Sequence, residues 1–159
     1  MIESRKLNIF RVIIFIIFIF LCIMSFASII LTFQSLFNLG ENSDINIYNM
    51  LYGDTICILF SIILYKVYSV IKSLKSNPFI EKNIKNFKII YRCMILITIL
   101  DGVFTYNIPK DSGLIILGTD SASLDPSCIL FFILAVLALT LSYIFEKAVE
   151  IKNENDLTV

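Results

Sequence analysis

The chain of 159 residues contains no histidine and no tryptophan. Without histidine it lacks the side chain that most often moves protons near neutral pH and ligates transition metals. Charge is scarce as well: 16% of residues are Asp, Glu, Lys or Arg, against about 25% in a soluble domain. The 13 basic and 13 acidic residues cancel, so no overall field draws the chain to nucleic acid, and direct binding of DNA or RNA is not expected. The H-E-x-x-H, G-x-S-x-G and phosphate-loop motifs are all missing. The chain is therefore read as a non-enzyme, with no cofactor and no metal site. Cys22, Cys57, Cys93 and Cys128 fall in or beside different apolar segments. That spacing argues against bridges, which need Cα atoms within about 7 Å, and predicts four small buried hydrophobes.

What the chain does have is apolar length. Hydrophobic residues make up 58% of it, and the mean hydropathy is +0.87. That is more than one domain of this size can bury in its own core, so the surplus must face a bilayer. Frequent Ile, Asn and Lys suggest an AT-rich, bacterial genome. A helix needs about 20 mostly apolar residues to cross the hydrocarbon. Four stretches qualify, at residues 12–33, 47–69, 86–106 and 126–145. The predicted fold is an all-α membrane protein of four transmembrane helices in one domain. A loop at 70–85 and a tail at 146–159 complete it. Arg5, Lys6 and Arg11 precede the first stretch as in a signal peptide, but its apolar run is too long for one and no clear cleavage site follows.

Charge sets the expected direction. Every Lys and Arg except Lys110 lies at the N-terminus, between residues 66 and 92, or in the tail. Positive residues favour the cytoplasmic side. Both termini are thus expected in the cytoplasm, N-in/C-in, in a multi-pass protein of the bacterial cytoplasmic membrane. All seven tyrosines fall near span ends, the depth that suits an apolar ring with a polar tip.

Within this frame Asp54 and Asp101 are the candidate ligand or cation residues. An ionisable group in a span is costly, and two carboxylates can share a proton or hold a cation. The alternative is that both reach the outer headgroups. Ser25, Ser28 and Thr32 form a small-residue stripe on the first span, and Ala135, Ala138 and Ser142 form one on the fourth. Both are read as helix contacts. The apolar segment Gly113 to Gly118 either lies on the outer membrane surface or forms a lid or re-entrant piece. In the cytoplasmic loop, Asn77 and Pro78 read as a capped helix start. Phe79 follows, then an amphipathic face of Ile80, Ile84, Phe87 and Tyr91. That helix either anchors to anionic membrane lipid or docks a partner.

Taken together, "SNPFIEKN", "SLDPS" and the terminal "ENDLTV" resemble the DUF2975 family of small bacterial four-span membrane proteins. The order of the motifs and the total length fit along essentially the whole chain. The resemblance implies an integral membrane protein with no assigned activity. Members are often encoded beside a small helix-turn-helix DNA-binding regulator, which makes such a regulator the implied partner. The tail is then a candidate recognition element. Asn153 to Asp156 favour the end of a helix. Asn155 and Asp156 lead into Leu157, Thr158 and Val159, whose alternation suits an extended end captured by a partner. The expected function is signalling or regulation through Asn77, Pro78, Phe79 and this tail. The alternative is a small transporter, or an immunity-type protein against a membrane-active peptide, built on the two aspartates. A homo-oligomer is left open.

Overall fold

The computed structural model describes residues 2–37, 47–74, 77–106, 117–119, 122–124 and 126–157. Four α-helices carry almost all of them. They are α1 (Ile2–Leu36), α2 (Ile47–Ser73), α3 (Glu81–Tyr106) and α4 (Pro126–Leu157). Between α3 and α4, β1 (Leu117–Thr119) pairs antiparallel with β2 (Ala122–Leu124), with Leu117 opposite Leu124. This hairpin is the one departure from the all-α expectation among the described residues. It takes up the end of the Gly113 to Gly118 segment, and residues 113–116 lie outside the described ones.

Three helices are long and apolar enough to cross a membrane: α1, α2 and α4. α3 is as long as a span at 26 residues, but Lys85, Lys88, Arg92 and Asp101 interrupt its apolar character. The helices outrun the apolar stretches that define them. α1 has 35 residues, about 52 Å at 1.5 Å each, against a hydrocarbon core of about 30 Å.

The chain divides into two compact units, Met1–Tyr68 and Ser69–Val159. In the first unit, α1 exposes most of its large side chains, among them Phe26 at 68%. Its less exposed positions are Leu7, Arg11, Ile14, Phe18, Leu21, Ser25, Ser28, Thr32 and Ser35. They alternate three and four apart, the 3.5-residue period of helices packed with a left-handed crossing. Phe18 and Tyr65 bring their rings to 6.1 Å, and Phe15 and Tyr68 to 5.6 Å, so α1 packs on α2.

The second unit repeats this pattern on α4. Cys128, Phe131, Ala135, Ala138, Ser142, Phe145, Val149 and Lys152 alternate three and four apart and are its shielded side. Ala135 is fully buried and Ser142 nearly so. Ser142 donates from Oγ to the Ile84 carbonyl at 3.4 Å, so the small residues do let α3 and α4 approach closely. The four cysteines are free. Their expected burial does not hold: Cys22 is exposed and the other three are half-buried. Helices with a single packed face leave most apolar side chains at the lipid surface.

Candidate functional site

Asp54 lies in the second turn of α2 and is 8% exposed. Two hydroxyls of α1 reach it. Ser28 Oγ donates to Oδ1, and Thr32 Oγ1 donates to Oδ2 at 2.8 Å. Ser28 and Thr32 are four apart, so one helical turn presents both hydroxyls on the face that meets α2. Thr32 Oγ1 also lies 3.1 Å from the Ser28 carbonyl, the usual fallback for a hydroxyl in a helix. The small residues of α1 are therefore more than spacers. They hold a carboxyl group inside the first unit.

Asp101 makes a parallel arrangement in the second unit. It is 5% exposed, and Ser127 Oγ at the start of α4 donates to its Oδ2 at 2.6 Å. Pro126 opens α4, where a missing N–H costs nothing. Ser127 is thereby fixed in the first turn. One residue on, the Cys128 thiol approaches the Thr98 carbonyl at 3.5 Å. Each aspartate thus sits buried against a neighbouring helix, with a serine hydroxyl on one of its oxygens. Among the described residues, no three or more Asp, Glu or Cys side chains gather to hold a metal ion.

The charged end of the second unit is built differently from the expectation. α3 begins at Glu81, three residues after Pro78. Asn77 does not cap it. Its Oδ1 accepts the Phe79 N–H at 3.1 Å, a tight turn ahead of the helix. The residue that ties the loop is Asn83, which is fully buried. Its Nδ2 donates to the Pro78 carbonyl at 2.7 Å and to Ser73 Oγ at 2.6 Å. Asn86, 5% exposed, donates to Ser69 Oγ at 3.2 Å. The buried face of α3 thus runs through Asn83, Ile84, Asn86, Ile90, Met94 and Ile97. It includes the predicted Ile84, and Phe87 and Tyr91 flank it half-buried.

Phe79 and Phe87 bring their rings to 6.0 Å and 5.1 Å from that of Phe145. Beside them Lys88 pairs with Glu146 at 3.3 Å. α4 then continues, with Lys147 and Glu150 three residues apart and paired at 2.6 Å. The expected helix end at Asn153 to Asp156 is not found: the helix runs to Leu157. Its Lys147–Glu150 pairing and its continuity with α4 outweigh the weak helix propensity of the two asparagines. Asn155 and Asp156 are exposed helical residues. Thr158 and Val159, and the side chain of Leu157, lie outside the described residues. A groove of about 360 Å³ lies along these ends of α3 and α4, lined by Glu81, Lys85, Lys88, Glu146, Glu150 and Asn153 among others.

Sequence reasoning singled out both aspartates and missed every partner: Ser28, Thr32, Ser127, and the Ser69, Ser73, Asn83 and Asn86 set. The available signal was a pair of hydroxyls one turn apart on a span, near in depth to an acid on the next one.

A family model described as a protein of unknown function, DUF2975, matches residues 37–159. The chain belongs to that family. The match begins just after α1, so it is shorter than the whole-chain resemblance expected from the motifs. No curated protein and no solved structure matches the chain.

Proposed function

We propose that this DUF2975 member crosses the bacterial cytoplasmic membrane four times, with both termini inside. There it acts as a regulatory partner of a cytoplasmic helix-turn-helix transcription regulator. α3 supplies the fourth crossing. At 26 residues it is about 39 Å long. Lys85 and Lys88 lie near its charged start, Arg92 is exposed and can snorkel, and Asp101 is buried against Ser127. The distribution of Lys and Arg supports the orientation.

The observation that carries the regulatory reading is the extension of α4. Past Phe145 the helix continues to Leu157 with largely polar, exposed side chains. It rises beside the start of α3, where Lys88 and Glu146 line a groove of both charge signs. A surface of this kind suits a partner helix carrying complementary charges, with Asn155 and Asp156 at its tip. The Asn77–Phe79 turn adjoins the same end.

Co-purification from native membranes in mild detergent, followed by mass spectrometry, tests this. The intact chain is compared with one ending at Asn153, which keeps the groove and removes the tip. A DNA-binding regulator recovered with the intact chain alone supports the reading. Identical partner lists refute it.

A second reading rests on a different observation. Both aspartates are buried within long, mostly apolar helices, where ionisable groups commonly serve ion or substrate passage. On that reading the protein is a small transporter or an immunity-type protein. Asp54→Asn or Asp101→Asn would then abolish flux or resistance, while removal of the tail would leave both intact.

A further inference from the structure

A groove of about 560 Å³ opens along the first unit between α1 and α2, within the roughly 300–1,000 Å³ range of small-ligand sites. Its walls are apolar, with Phe18 and Phe26 from α1 and Ile58 and Ile62 from α2. It spans about 12 Å along α2, from Ile58 to Lys66, and about 16 Å along α1, from Phe18 to Ile29. That is close to one leaflet, half of a hydrocarbon core about 30 Å thick.

Ser25, Ser61, Tyr65 and Lys66 bring polar atoms to the walls. Lys66 stands at one end, its Nζ 5.4 Å from the centroid of the Tyr65 ring. It takes part in none of the ion pairs between described residues. Ser25 lies deeper, about 10 Å along α1 from Phe18. It is 8% exposed, and its Oγ has no hydrogen-bond partner. This is unusual in the chain itself. Thr32, Thr55, Ser61, Thr98 and Thr140 each satisfy their hydroxyl on the carbonyl four residues back. An orphaned buried hydroxyl is costly and marks a place where the groove can bond an acceptor.

We propose that this groove binds an anionic phospholipid, with an acyl chain along the apolar wall and the phosphate at Lys66. The groove opens sideways onto exposed apolar faces, Phe26 among them, so its occupant enters from the hydrocarbon. The cation at one end selects a negative headgroup. A glycerol ester carbonyl, which lies below the phosphate in the same molecule, is an acceptor of the kind Ser25 lacks. On the topology proposed above, the Lys66 end faces the cytoplasmic leaflet, where anionic lipids are enriched.

The test uses the full chain in nanodiscs of equimolar phosphatidylglycerol and phosphatidylcholine. Lipids that leave with the protein are weighed by native mass spectrometry. The wild type should retain phosphatidylglycerol in preference to phosphatidylcholine. Lys66→Gln, a near-isosteric change at a half-exposed position, should weaken that retention about five- to tenfold. Ser25→Leu, which fills the groove, should lower retention of both lipids. Equal retention of the two lipids by the wild type, or undiminished phosphatidylglycerol on Lys66→Gln, would overturn the proposal. Displacement of the lipid by excess inorganic phosphate would overturn it too, in favour of a simple anion site.

Discussion

Asp54→Ala should remove the interhelical acceptor of Ser28 and Thr32, and the size of the effect follows from what those hydroxyls can do next. A buried donor left without any partner costs about 1–3 kcal/mol. Thr32 already lies 3.1 Å from the Ser28 carbonyl and can fall back on it, and Ser28 can turn to its own helix in the same way. Interhelical hydrogen bonds in membrane proteins average about 0.6 kcal/mol and reach about 1.7. The expected loss for Asp54→Ala is therefore about 1–2 kcal/mol, with Asp54→Asn below about 1 because one carbonyl oxygen remains. Reversible unfolding in mixed detergent micelles, read by circular dichroism, measures each variant. Thr32→Val paired with Asp54→Ala closes a double-mutant cycle, for which a coupling of about 0.5–1.5 kcal/mol is expected. Strictly additive single effects would refute the reasoning, because the two side chains would then not act on each other.

Asn83→Ala should destabilise the second unit by about 2–3 kcal/mol, since it strips two donors from a fully buried site; protease cleavage near Lys82 should rise in parallel, and unchanged cleavage would count against the tie. Ala135→Leu should cost about 1–3 kcal/mol by overfilling a position with no exposed surface, and unaltered unfolding would mean α3 and α4 can separate freely there. Breaking the Lys88–Glu146 pair with Lys88→Gln should cost less than about 1 kcal/mol, because both side chains are near half exposed; the loss should shrink further at high salt.

α1, α2 and α4 were legible because each is written in the sequence as a long apolar run, and α3 because its apolar residues continue through Arg92 to Asp101. The two aspartates stood out because an acid within such a run is conspicuous. Their partners did not. Ser28 and Thr32 look like any small residues on a span, and only the rotation of α1 against α2 turns them toward Asp54. Asn83 and Asn86 were hidden for a related reason. They lie in a lysine-rich segment, and a search for the buried face of α3 favours Ile and Phe over amides. The tail shows local and longer-range preferences in conflict. Two asparagines and an aspartate suggest a helix end, yet a helix already 27 residues long at Lys152 carries on through them.

The central claim is a four-span chain with its ends and the Asn77 turn on one side of the membrane. Labelling of single cysteines with a membrane-impermeant maleimide tests it most directly. The four native cysteines are replaced by alanine, and one of Ser43→Cys, Ser76→Cys, Ser112→Cys or Thr158→Cys is introduced. The account predicts labelling of intact cells at positions 43 and 112, and labelling at 76 and 158 only after the cells are opened. Labelling at 76 or 158 in intact cells, or its absence at 112, would contradict it.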